Sequence, residues 1–286
     1  MSSVLLGLVA ALAWGVHDFL ARFPSRAIGP IPTVLAVTFA GLLYLSAWLV
    51  FSGDPIRISW PQLWLPAASG IFLALGALSM YAALALGPLS LVTPIAGSYP
   101  ALAMIFAVAQ GARPSLLQWL AVAAVLAGVM LVSRSGEAYE QSGYIPPGKL
   151  KTIVALSLCA SLGFAGTLIS GQAAVPIFGE VAAVWLARIF GLLTIGTIYL
   201  MQRPRGELPA RWLPLLGLMG GLDVGALVAV LVAGNLPDPA FATVVSSAFS
   251  AVTVILARTI LKEPISPIQL LGMILIFGGV AGLAGL

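Results

Sequence analysis

Ten apolar runs follow one another along this 286-residue chain, each long enough to cross a bilayer. A spanning helix needs about 20 mostly apolar residues. The runs are Val4–Ala21, Ile31–Phe51, Trp64–Leu86, Leu89–Ala109, Leu116–Val132, Thr152–Gly171, Val181–Met201, Trp212–Ala233, Pro239–Ala257 and Ile268–Leu286. Turn chemistry separates them: Gly29-Pro30, Gly53-Asp54-Pro55, Gly87-Pro88, Pro146-Pro147-Gly148, Pro204, Pro237-Asp238-Pro239 and Pro264. The chain is 60% hydrophobic and 8% charged, and no soluble domain hides so much apolar surface behind a polar exterior. In lipid every backbone polar group must be satisfied inside the protein, so runs of this length fold as helices. The expected fold is an all-α polytopic membrane protein with ten transmembrane helices.

The charges orient it. Net charge is +4, from 13 Lys and Arg against 9 acids, and most of these lie in the loops. That is a membrane signal rather than a nucleic-acid one. With the N-terminus outside, the cytoplasmic loops hold Arg22, Arg26, Arg134, Lys149, Lys151, Arg203, Arg205, Arg211, Arg258 and Lys262, and the opposite loops hold Arg57 and Arg113. Both termini are therefore expected outside, in a bacterial-type inner membrane, with the Ser133–Lys151 connector in the cytoplasm. Met1-Ser2-Ser3 has no basic n-region, and no cleaved signal is expected. One cysteine, Cys159, excludes an internal disulfide, and one histidine with scattered acids makes no zinc site. No cofactor or metal is expected. The partners are the lipid bilayer and a small-molecule substrate, and the chain is expected to work as a monomer.

A shift of 151 residues overlays the two halves. Pro88 meets Pro239, Ser115 meets Ser266, Gln118 meets Gln269, Leu120 meets Leu271, and Gly128-Val129 meets Gly279-Val280. Phe39, Gly41, Leu42 and Leu43 resemble Phe190-Gly191-Leu192-Leu193 at nearly the same shift. Chance overlap of two Leu/Ala/Gly-rich sequences is the competing explanation. Each half holds five runs, an odd number, so the second enters the membrane upside down relative to the first. The expected organisation is a first repeat at 1–132, a linker at 133–151 and an inverted second repeat at 152–286, around a central cavity. That is the geometry of alternating-access transporters.

One stretch, Gly87 to Pro100, reads as a spoiled membrane helix. Pro94 and Pro100 remove backbone donors and are the expected hinges, and Thr93, Ser98 and Tyr99 add polar groups. In lipid such a break survives only when buried in protein or lining a cavity. Its counterpart, Asp238 to Ala251, carries Ser246, Ser247 and Ser250 where prolines are expected. The stretch therefore reads as a flexible, polar cavity wall facing a straighter one. Tyr99 is the leading substrate contact, followed by Tyr81 with Ser79. Trp14, Phe164 and Trp185 also fall inside runs, where core packing and pore lining compete, and Ser246 joins the substrate set. Trp60, Trp64, Trp119 and Trp212 fit an interfacial belt. Gly70 with Ala74, Gly217 with Gly221, and Gly225 offer small faces for close helix packing.

Ionisable groups inside a bilayer are costly and mark function. Arg188 and Asp223 lie at comparable depths in the seventh and eighth runs. They are expected to pair, either as a fixed bridge or as groups meeting a zwitterionic substrate or a proton. His17 and Asp18 lie in the cytoplasmic third of the first run. Asp18 and Arg22 are spaced for a structural i,i+4 bridge, and His17 is either a hydrogen-bonded neutral histidine or a pH-sensitive gate.

Ala13-Trp14-Gly15, Gly87-Pro88, Ser98-Tyr99-Pro100, and Lys262-Glu263-Pro264 with Gln269 and Gly278-Gly279-Val280 resemble the drug/metabolite transporter superfamily, EamA-type branch. The resemblance covers nearly all of the chain. Within that branch the likeness is to YddG-type amino acid exporters, which implies aromatic amino acids and methionine among the substrates. Two departures stand out. The Glu-Arg-Pro-like turn common before the fifth helix reads Gly111-Ala112-Arg113-Pro114, without the acid. The arginine often found in the second helix is replaced by Val37-Thr38, and only Arg188 remains. The expected function is secondary transport that exports small metabolites, foremost aromatic or apolar amino acids. Alternative cargoes are a cationic drug, a nucleotide sugar or a sugar phosphate. An intramembrane enzyme is disfavoured, because no GxSxG, HExxH or aspartyl pair is present. A passive scaffold needs no proline-broken midplane segment.

Overall fold

The computed structural model describes residues 2–53, 56, 58–109, 111, 113–202, 208–233, 245–246 and 248–285. Expectations resting on Arg57, Ala112, Arg203, Arg205, Pro237-Asp238-Pro239 and Ser247 lie outside these residues. The described secondary structure is helical: α1 Ser3–Ala27, α2 Pro30–Ser52, α3 Trp64–Leu86, α4 Leu89–Ala96, α5 Tyr99–Ala109, α6 Leu116–Gln141, α7 Leu150–Phe178, α8 Glu180–Gln202, α9 Leu213–Ala233, α10 Phe249–Thr259 and α11 Pro267–Gly285, with 3-10 turns at Trp60–Gln62 and Ala210–Trp212. Eight stretches are long and apolar enough to cross a membrane, Leu89–Phe106 among them, and Phe249–Thr259 and Pro267–Leu283 are shorter apolar helices. The protein is a multi-pass integral membrane protein.

Local chemistry starts the helices where the sequence signals them. Pro30 opens α2 after Gly29, whose φ of 94° suits glycine. Ser115 and Gln118 form a reciprocal capping box at α6, with Gln118 N donating to Ser115 Oγ at 3.3 Å and Ser115 N to Gln118 Oε1 at 2.8 Å. The repeat partner Ser266 accepts from Gln269 N at 3.2 Å at the start of α11, but the Gln269 side chain is turned to other partners. Two expectations shift. The α6 helix runs through Gln141, beyond Val132, so the first half of the expected connector is helix. The spoiled segment splits into α4 and α5 at Gly97-Ser98, between the two expected hinge prolines.

Close helix crossings set the bundle. The α3 and α7 helices run antiparallel: Ser69 Oγ donates to Thr167 O at 3.1 Å, and a Cβ on Gly163 would lie 2.5 Å from Gly76 Cα. The α6 and α11 helices also run antiparallel, with Gly128 against Gly272 and Ile276, and Gly279 against Ala121 and Val125. In α2 and α8, Gly41 faces Arg188 while Trp185 Nε1 donates to Ser46 Oγ at 2.9 Å, again antiparallel. Of the expected small faces, Gly70 sits against the Ala187 carbonyl, as close packing requires. In α9 the tight position is Gly220, against Gly41 of α2, whereas Gly217 and Gly225 face open space.

Several of the main crossings recur when the halves are exchanged. The pair α3–α7 matches α9–α1, α3–α8 matches α9–α2, and α7 with α4 and α5 matches α1 with α10. Exposed Phe51, Leu200 and Met201 lie on the outer surface, where the solvent is lipid. Trp60, Trp64 and Trp119 are exposed, as belt residues are, but Trp212 packs against the core.

Candidate functional site

A cavity of about 310 Å³ lies between the halves. The first half contributes Trp14, His17 and Asp18 from α1, Val37 and Thr38 from α2, Tyr81 from α3 and Tyr99 from α5. The second contributes Phe164 and Thr167 from α7, Arg188 from α8, Asp223 from α9 and Phe249 from α10. The volume lies in the range of small-molecule sites. Of the residues expected from the sequence, Trp14, His17, Asp18, Tyr81, Tyr99, Phe164, Arg188 and Asp223 line it together. Ser79, Trp185, Ser246, Pro94 and Pro100 do not. Trp185 is turned to Ser46 instead. Phe249, unanticipated, stacks edge-on with Trp14 at a centroid distance of 6.3 Å.

Arg188 pairs with Asp223, as expected, but not across neighbouring helices. The α8 and α9 helices make little direct contact, and α2 lies against both. The guanidinium crosses α2 at Gly41, where a Cβ would fall 2.4 Å from Nη1. Asp223 also accepts from Trp14 Nε1 at 3.0 Å. The pair is unevenly buried: the side chain of Arg188 is 6% exposed and that of Asp223 is 26%. Among the described residues the Nε of Arg188 is buried without a hydrogen-bond partner.

His17 is held from both sides. Its Nδ1 lies 2.9 Å from Asp18 Oδ1, and its Nε2 lies 3.1 Å from the Tyr81 hydroxyl. The expected Asp18–Arg22 bridge is absent, because Arg22 pairs with Glu263. Successive side chains of a helix do not normally face each other, yet the flexible Asp18 carboxylate reaches its neighbour's ring here. Tyr99, the first residue of α5, packs edge-on against Phe164 at 6.2 Å.

Residues 1–134 and 151–285 each match the EamA-like transporter family. The chain belongs to that family. A crystal structure of a protein that is 18% identical shares its fold, with a TM-score of 0.66 over 99% of this chain and 98% of that one. Comparison with curated proteins gives no match. The two EamA regions correspond to the two halves that enclose the cavity, and residues 135–150 fall outside both matches.

The EamA halves meet a second time, one helical turn along α1 from Asp18. Glu263 is fully buried and accepts from Leu89 N at 3.1 Å, from Ser90 N at 2.9 Å and from Ser90 Oγ at 2.7 Å, besides pairing with Arg22. Its carboxylate thus caps the N-terminus of α4, where free N–H groups and the helix dipole favour an anion. Pro94 has no N–H, so the carbonyl of Ser90 lacks its helical partner; Gln269 Nε2 supplies one at 3.0 Å. Tyr139 ties these groups together, 2.8 Å from Ser90 Oγ and 3.1 Å from Gln269 Oε1. Arg26 closes the end of α3, donating to Leu84 O and Gly87 O at 3.1 and 2.9 Å. All of α4 is buried and none of it lines the cavity. The expected cavity wall is instead a packed plug, and only Tyr99 beyond it reaches the cavity. Glu263 and Gln269 carry the family resemblance in the sequence, but nothing there names Ser90 as their shared target.

Proposed function

We propose that the chain is a ten-helix secondary transporter that exports small metabolites by alternating access, most of all aromatic or apolar amino acids, in the manner of YddG-type exporters. The observation that carries this reading is the cavity itself. It combines the aromatic faces of Trp14, Tyr81, Tyr99, Phe164 and Phe249 with buried charges of both signs. Aromatic faces suit a flat apolar side chain, and charges suit a zwitterionic head. A phosphorylated cargo fits less well, because Arg188 is the one guanidinium lining the cavity among the described residues.

Inverted five-helix repeats are supported by the packing. The equivalent pairs α2 with α8 and α6 with α11 cross antiparallel, which is what a twofold axis in the membrane plane requires. A cytoplasmic connector and external termini are supported by charge. Arg22, Arg26 and Arg258 gather at one end, together with Tyr139 near the connector between the halves. A bacterial inner membrane and action as a monomer complete the reading.

Flux in sealed vesicles over a panel of amino acids, with and without a pH gradient, tests it. Export of aromatic or apolar amino acids is expected. Accumulation of another metabolite alone would sink the cargo assignment. Tyr99→Ala is expected to lower flux without loss of expression, and unchanged flux would move the site elsewhere.

A further inference from the structure

The ionisable groups lining the cavity are Arg188, Asp223, His17 and Asp18. Arg188 answers Asp223, and Asp18 lies against the His17 ring. The first of these pairs is not presented evenly. The side chain of Arg188 is 6% exposed, its guanidinium laid over Gly41, while that of Asp223 is 26% exposed. The carboxylate therefore offers more accessible surface than the guanidinium. Carboxylate oxygens accept more than one hydrogen bond each, so the contacts from Trp14 and Arg188 leave Asp223 able to accept others. Trp14 beside it offers an indole face, the best aromatic surface for a cation.

We infer that the cavity reads the ammonium end of its ligand through Asp223 and Trp14, and that the ligand's carboxylate is dispensable. The substrate class is then aromatic or apolar primary amines, amino acids included. This rests on the transporter reading above and adds which end of the cargo is recognised. The ring end packs against Tyr99 and Phe164, which line the same cavity and meet edge-on at 6.2 Å.

The test uses three molecules with one phenyl body: phenylalanine, phenethylamine and hydrocinnamate. Binding to the wild-type protein in nanodiscs is measured by calorimetry at neutral pH. Phenethylamine is expected to bind at least as tightly as phenylalanine, and hydrocinnamate at least about tenfold more weakly, as befits loss of one charge-assisted contact. Asp223→Asn is expected to flatten the difference between amine and acid. Hydrocinnamate binding as well as phenethylamine would overturn the inference and make Arg188 the reader. Binding of phenylalanine alone would also overturn it, since both ends would then be read. Binding of phenethylamine without phenylalanine would uphold it while removing amino acids as cargo. Binding of none of the three would overturn both readings.

Discussion

Gly41 shows how one hydrogen atom arranges the charges of the cavity. Its missing Cβ gives Arg188 a path from α8 to Asp223 on α9. Gly41→Ala is expected to push the guanidinium off Asp223 and to cost about 1–3 kcal/mol, as overpacking does. Thermal unfolding in detergent measures the cost, and the loss of ligand binding should exceed what that instability explains. Tyr81→Phe removes the hydroxyl beside His17 Nε2 and is expected to cost about 1 kcal/mol. A melting curve superimposed on wild type would show that this contact contributes nothing. Residue types were legible in the sequence: Arg188 and Asp223 stand out because charge is rare in a membrane. Partners were less so. Local spacing gives Asp18 to Arg22, but Glu263, distant in sequence and wholly buried, has the stronger need for a cation. A buried carboxylate without its partner is costly, so the long-range pair wins.

At the scale of the element, α4 is the part that reads differently once folded. Its prolines mark it as broken, and it is broken, but at Gly97-Ser98. Pro94 stays helical because Gln269 satisfies the carbonyl it orphans, and Pro100 falls in the first turn of α5, where no donor is needed. Gln269→Leu is expected to cost about 1–3 kcal/mol by leaving the Ser90 carbonyl unsatisfied. Glu263→Gln is expected to cost more, about 3–5 kcal/mol, because it strands Arg22 in a buried site. Melting temperatures of the two variants in one detergent check the ranking, and a milder effect for Glu263→Gln would contradict it. Helix existence was readable from hydropathy; the role of α4 as plug rather than wall was not, because it depends on residues from α1, α6 and α11.

Across the whole molecule, the halves are joined by the α6–α11 crossing as well as by the cavity. A Cβ at Gly279 would meet the Ala121 carbonyl at 2.7 Å, so Gly279→Val is expected to destabilise the bundle by about 1–3 kcal/mol. Ligand affinity below the unfolding temperature should stay as in wild type, since this contact is away from the cavity lining. A change in affinity at low temperature would show that the crossing and the site are coupled. By itself, the sequence determined that the chain is helical and membrane-embedded and that it carries two related halves. Hydropathy, turn residues and the Ser-x-x-Gln cap act locally, and locality is what a sequence displays. It also determined which rare charges and aromatics deserved attention. Only the tertiary structure decided how they meet: that Arg188 passes over Gly41 to reach Asp223, and that Glu263 caps the start of α4. Those choices arise where helices far apart in sequence cross, and a crossing is set by the fit of surfaces rather than by any one stretch of chain.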